Sequence, residues 1–235
     1  MLAILTPGKI APSCSRIEGL ARTSDKVLVL ADRYHEYSMS RLTTRLFYGK
    51  PGQRGLWHRC ISQDARPYAL ATDGETVAVS TSEGIWFPFD RRSIQERHAT
   101  SLAFMQGHLY GIVGASLCRL HGDTWEHMAR GYRQVSAAND GLLLLAADGL
   151  AASVISPHGK ERAVDLESAC GQLMASNGGF VGIGGVIGSE VFSISGTGDV
   201  VGRARPRFAP SCVAGGEQPM LGCYQGHIYP LGTYK

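Results

Sequence analysis

The sequence is short of charge, of long apolar runs and of clustered cysteines, and each shortage excludes something. Charged residues make up 18% of the 235 and the formal net charge is +3. No basic run exceeds the two residues Arg91–Arg92, so the concentrated positive stripe of a nucleic-acid binder is missing. No window approaches the roughly 18 apolar residues of a membrane-spanning helix. The opening "MLAILTPGK" lacks a basic n-region and a long enough apolar h-region for an export signal. Six cysteines (Cys14, Cys60, Cys118, Cys170, Cys212, Cys223) lie far apart with no C-x-x-C pair. They read as packed thiols in a reducing compartment, and the expected location is cytoplasmic.

Catalytic signatures are equally scarce. The eight histidines never pair as H-E-x-x-H, so they read as surface residues and no metal is expected. "SNGGFVGIGGVIG" has neither G-K-[ST] nor a following helix, and reads as a tightly packed strand instead of a phosphate loop. G-x-S-x-G is absent. No cofactor is expected.

What is abundant is glycine, 30 residues, set among short apolar runs. Six such runs follow small-residue turns: Val27–Leu30, Val77–Val79, Leu109–Val113, Leu142–Leu145, Phe180–Ile183 and Met220–Cys223. From Val27 to Met220 the five steps average about 39 residues, close to the repeat length of propeller blades. The tetrapeptide "APSC" occurs at Ala11–Cys14 and Ala209–Cys212, about five periods apart, as expected for the same place in the first and last repeats. Each repeat opens with a strand of small and apolar residues ("YALATD", "SLAFMQ", "QVSAAND", "QLMASN", "SCVAGG"). The apolar run and a third strand follow, then a more polar fourth ("LWHRCI", "IQERHA", "TWEHMA", "RAVDLE", "VVGRA"). Small residues suit inner strands converging on an axis, and polar alternation suits an edge that meets water.

The last repeat ends after its third strand, while "MLAILT" is a spare strand at the start. The expectation is therefore an all-β, six-bladed β-propeller of four-stranded blades, with residues 2–6 closing the ring as the last blade's outer strand. A solenoid, which needs distinct terminal caps, fits less well. The expected single domain spans 1–235, with blades near 11–60, 61–99, 100–129, 130–166, 167–205, and 206–235 plus 2–6. "VAVSTSEGIWFPFD" resembles the strand-turn-strand of sensor-type and Asp-box propellers, although Ser82 stands where an Asp box has aspartate. "GHLYGIVGASLCRLHGDTWEHM" resembles kelch or tectonin blades. In size and architecture the chain is similar to some bacterial immunity proteins, which cap a toxin's active site.

Loops joining outer to inner strands, and second to third strands, share one face of such a disc. There the sequence places Asp32, Arg33, Tyr34, His35, Tyr37, Asp64, Arg66, Arg130, Tyr132, Arg133 and Arg207. Arginine and tyrosine dominate energetic hot spots, and the mixed signs favour a protein partner over a phosphate track. The leading expectation is a non-enzymatic protein-binding module, in its most concrete form a toxin-neutralising immunity protein, with no nucleic-acid or membrane partner. The alternative is a lactonase or glycan hydrolase at the axis. Its acidic candidates, Asp32, Asp64 and Glu167, are separated in sequence.

Overall fold

The computed structural model describes residues 2–4, 8–9, 15–23, 25–34, 41–50, 57–138, 141–176, 178–184, 189–223 and 225–233. Among them are 25 strands and no helix. After β1 (Leu2–Ile4) and β2 (Gly8–Lys9), the first blade is β3 (Ser15–Arg22), β4 (Val27–Tyr34), β5 (Arg41–Gly49) and β6 (Trp57–Ser62). The second is β7 (Pro67–Thr72), β8 (Val77–Thr81), β9 (Gly84–Phe87) and β10 (Arg92–Ile94). The third is β11 (Leu102–Met105), β12 (His108–Val113), β13 (Ser116–His121) and β14 (Thr124–Arg130). The fourth is β15 (Tyr132–Ala138), β16 (Gly141–Ala146), β17 (Ala151–Ile155) and β18 (Glu161–Asp165). The fifth is β19 (Cys170–Ser176), β20 (Gly179–Gly184), β21 (Glu190–Ile194) and β22 (Val200–Ala204). The last carries β23 (Pro210–Ala214), β24 (Met220–Cys223) and β25 (His227–Thr233). All pairings are antiparallel, and the inner strands β3, β7, β11, β15, β19 and β23 neighbour one another around a closed ring.

Ring closure follows the expectation. β1 pairs with β25, Leu2 opposite Thr233 and Ile4 opposite Leu231, so the start of the chain covers the edge left by its end. A short second contact, β2 with β25 at Gly8–Ile228, lengthens this seam.

The uninterrupted apolar runs are explained by burial on both sides. In β16, Leu142 and Leu144 pack toward the third blade beside Ile112 and Val135, while Leu143 and Leu145 pack toward the fifth beside Leu173 and Phe192. In β4, Val27 and Val29 face the last blade and Leu28 and Leu30 face the second. Six apolar clusters result, one at each blade interface. A strand whose two faces are both covered has no reason to alternate with polar residues.

The second blade departs from the sequence reading. Its outer strand is Arg92–Ile94, not "IQERHA", and Gln95–Ser101 leave the sheet. That segment bridges blades instead: the Ala99 N–H donates to Ser80 Oγ at 2.9 Å, and the Trp125 indole donates to the Arg97 carbonyl at 2.9 Å. Trp125 thereby packs its ring against the cluster between the second and third blades. The five described cysteines are free, as expected, but not uniformly packed: Cys118, Cys170, Cys212 and Cys223 are buried and Cys60 is exposed, while Cys14 lies outside the described residues.

Candidate functional site

Five inner strands slip register by one residue at the same level. The slips fall between Ile17 and Gly19, Pro67 and Ala69, Tyr132 and Gln134, Cys170 and Gln172, and Pro210 and Cys212. Just ahead of β11 the same two-against-one arrangement recurs. Thr100 N–H donates to the Ile112 carbonyl at 2.8 Å, and Ile112 N–H donates to the Ser101 carbonyl at 3.0 Å. A bulge leaves one residue outside the ladder and re-aims its side chain. Glu18, Tyr68, Thr100, Arg133, Gly171 and Ser211 occupy these positions, forming a ring of bulges where the inner strands begin.

The axial channel consequently has two unlike mouths. The bulge end holds a cavity of about 210 Å³ whose lining includes Glu18, Tyr68, Thr100, Arg133, Gln134 and Gln172. The far end, about 260 Å³, is walled chiefly by small residues, among them Ala71, Ala103, Ala137, Ala175, Gly215 and Gly216. Distinctive chemistry is concentrated at the first mouth.

Several polar groups there hold the ring together. Gln134 acts as a surrogate peptide group: its Nε2 donates to the Leu173 carbonyl at 3.0 Å and its Oε1 accepts the Leu173 N–H at 2.7 Å. Gln172 repeats this one blade on, donating to the Ser211 carbonyl at 3.1 Å and accepting from Val213 N–H at 3.1 Å. Ser101 donates to the Val135 carbonyl at 2.6 Å, and Ser211 donates to the Ile17 carbonyl. These links join the third blade through to the first, where inner strands splay too far apart for a direct ladder. Between the first and second blades contact is apolar instead: Gly19 lies so close to Leu70 that an added Cβ would sit 2.9 Å from the leucine Cβ.

The charged groups are arranged differently. Arg16 Nε pairs with Glu18 Oε1 at 2.9 Å, and the Glu18 side chain is only 14% exposed. Burial pushes its carboxyl from 4.5 to about 7. Arg16 opposes this rise, Asp32 adds to it, and Arg66 also opposes it. Tyr34 hydrogen-bonds Asp32, and burial raises the Tyr34 phenol, with the Asp32 charge contributing. Across the second blade the Arg66 guanidinium lies 5.9 Å from the Tyr68 ring centre, and Tyr68 stacks on His98 at 4.3 Å.

All nine described residues among the sequence candidates lie on this face. Asp64, Arg66, Arg130, Arg133 and Arg207 are exposed, while Arg33, Tyr34 and Tyr132 are half-buried. Asp32 is 1% exposed and sits behind Glu18, so it shapes the mouth without reaching its surface. Arg130 ends an outer strand and belongs to the rim, away from the axis. His35 and Tyr37 lie outside the described residues. Glu18, Tyr68, Gln134 and Gln172 escaped the sequence reading, although Glu18 and Tyr68 share the bulge position of their repeats and Gln134 and Gln172 share the position after it. Among the described residues no three His, Cys, Asp or Glu side chains gather in a way that would hold a metal.

No protein-family model and no curated protein matches the sequence. Solved structures do match along the whole chain. A virginiamycin B lyase from Staphylococcus aureus shares 10% identity with full coverage of both chains and a TM-score of 0.62. YCF48 bound to D1 peptide shares 10% identity over 97% of each chain, with a TM-score of 0.56. BBS1N in complex with ARL6DN shares 5% identity over 100% of this chain and 97% of that one, with a TM-score of 0.57. The fold is a six-bladed β-propeller. Its neighbours include both an enzyme and proteins solved with peptide or protein partners, and at these identities the likeness is one of fold.

Proposed function

We propose that the chain is a protein-binding propeller whose bulge-bearing face grips a partner, and that the partner is a toxin neutralised by being covered. The observation that carries this reading is the contrast between the two mouths. One is lined by Glu18, Tyr68 and Arg133, with Arg66 lying 5.9 Å from the Tyr68 ring and Tyr132 next to Arg133 in the chain, while the other is walled mainly by alanine and glycine. Arginine and tyrosine offer large contact area with directional hydrogen bonds. The amide and hydroxyl links between blades keep their scaffold rigid, which lowers the ordering cost of docking.

The test is a pull-down from the source organism with the wild-type chain beside an R66A/Y132A/R207A variant of unchanged melting temperature. A partner held by the wild type and lost by the variant supports the face; equal retention rejects it. Expressing the captured partner alone and with the chain then tests neutralisation, which requires growth arrest relieved by co-expression.

The reading of the chain as an enzyme at the axis has one observation in its favour. Glu18 titrates near neutrality beside the buried Asp32, which suits a general acid or base. It requires turnover of a lactone or glycoside that Glu18→Gln abolishes.

A further inference from the structure

The polar groups of the bulge-end cavity divide into two sets. Gln134, Gln172, Ser101 and Ser136 are engaged with the backbone of the next blade. Thr100 donates to the Ile112 carbonyl of its own blade. What remains directed at the axis is the Tyr68 ring and two charges of opposite sign, Glu18 and Arg133. Arg133 is exposed to the cavity, and none of the described hydrogen bonds or ion pairs involves its guanidinium.

Their placement is fixed by the ring. Glu18 is on β3 and Arg133 on β15. The inner strands follow one another as β3, β7, β11, β15, β19, β23 and back to β3, so the two strands are three steps apart in either direction. The carboxylate and the guanidinium therefore stand on opposite sides of one cavity of about 210 Å³, with the aromatic Tyr68 on the wall between them. Two opposite charges that closed on each other would form an ion pair. Here Glu18 pairs with its neighbour Arg16 through one oxygen, and the cavity separates it from Arg133.

We propose that this cavity is a binding site for a small zwitterion, a molecule with an ammonium or guanidinium group at one end and a carboxylate at the other. The cationic end meets Glu18 and the anionic end meets Arg133, which can hold a carboxylate through two parallel N–H donors. A methylene chain between the two ends would lie along the Tyr68 side. The volume sets the size: it is below the roughly 300–1,000 Å³ of drug-sized sites and takes a molecule of amino-acid to dipeptide dimensions. The opposite mouth, with its small-residue walls, offers no such charge pair.

The cavity opens on the partner face proposed above and shares Glu18, Tyr68 and Arg133 with it, but the pull-down test rests on Arg66, Tyr132 and Arg207, which do not line the cavity, so the two tests fail independently. The experiment is calorimetric titration of the full chain at pH 8, where the Glu18 carboxyl is ionised, with β-alanine, 4-aminobutyrate, 6-aminohexanoate and diglycine. Each is compared with its N-acetyl and its amide analogue. At least one zwitterion is expected to bind, with both neutralised analogues weaker by about tenfold or more. Arg133→Gln, an exposed position whose replacement spares the fold, is expected to erase the preference for carboxylate over amide while keeping that for ammonium. Glu18→Gln is expected to do the converse. The proposal is overturned if no zwitterion in the series binds more tightly than ~10 mM, or if folded Arg133→Gln protein binds carboxylate and amide with the wild-type preference. Either outcome leaves the pull-down result standing.

Discussion

Replacing Glu18 by glutamine tests the electrostatics of the channel directly. Glutamine keeps the shape of the protonated acid and removes its ionisation. In the unfolded chain the Glu18 carboxyl titrates at about 4.5; in the folded protein burial raises it to about 7. The sign follows from which state holds the proton. Below pH 4.5 both states are protonated and Glu18 adds no pH dependence. Between 4.5 and 7 the folded state retains a proton that the unfolded chain releases, so wild-type stability falls as pH rises. Above 7 the full penalty of a buried charge remains. At about 1.4 kcal/mol per pH unit, that interval corresponds to roughly 3 kcal/mol. Any constant effect of the substitution, such as a change in side-chain packing, is present at every pH, and the attraction of Arg16 is already contained in the folded titration, so the measurement is the change in the gap between the two proteins. Urea denaturation at constant ionic strength from pH 4 to 8 should show glutamine gaining about 3 kcal/mol on the wild type. For a chain of this length that is a relative rise in melting temperature of about 6–12 °C. A gap that stays constant to within about 0.5 kcal/mol, where ordinary surface substitutions fall, would mean that Glu18 is solvated and that burial does not raise its carboxyl.

Three further outcomes follow from the architecture. Gln172→Leu leaves the Ser211 carbonyl and the Val213 N–H without their bridging amide, and urea denaturation should report a loss of about 1–3 kcal/mol. Gly84→Ala should cost about 3 kcal/mol or more. Gly84 has φ of +125°, and a Cβ there would lie 2.1 Å from the Ile94 carbonyl oxygen. Glu83→Ala, exposed in the same turn, should change stability by less than about 0.5 kcal/mol. Under native alkylation followed by peptide mapping, Cys60 should be modified well before Cys170 and Cys212, whose thiols burial pushes up to about 11 and about 12. Rapid native labelling of Cys212 would contradict the packing between the last and first blades.

The blades were legible because two-sided burial writes itself into sequence. Leu142–Leu145 can be read as a run without knowing that its members face different neighbours. The spare strand at the start was legible because the last repeat lacked a fourth strand. The bulges were not, since a one-residue slip leaves no mark on composition and Glu18 in "SRIEGLAR" looks like ordinary alternation. Asp32 was misjudged for a related reason. Its neighbours "DRYHEY" are polar, yet β4 runs to Tyr34 and carries the aspartate into the interior. In the second blade, "IQERHA" has the pattern of an outer strand but supplies the backbone groups, at Arg97 and Ala99, that tie two blades together. A partner that arrives through tertiary contact is invisible to a local pattern.

The six bulges also provide a comparison internal to the chain. Two residues beyond each bulge the side chain is Leu20, Leu70, Leu102, Val135, Leu173 or Val213, in every case leucine or valine on the inner strand. The position is uniform because one geometric demand, filling the wedge beside the axis, is repeated six times. At the bulge itself the residues are Glu18, Tyr68, Thr100, Arg133, Gly171 and Ser211: an acid, a phenol, a hydroxyl, a base, a residue with no side chain, and a second hydroxyl. Packing imposed by a sixfold frame cannot ask for five different chemistries at six equivalent places. Because a bulge turns its side chain out of the ladder, substitution there perturbs the interface clusters little, and the ring is free to vary with whatever occupies the channel. Replacing Arg133 by Gln should then leave the melting temperature within a few degrees of the wild type, because Arg133 is exposed and none of the described hydrogen bonds or ion pairs involves it. Exchanging Leu20 for the polar Gln, at a position 5% exposed, should instead cost about 3 kcal/mol or more.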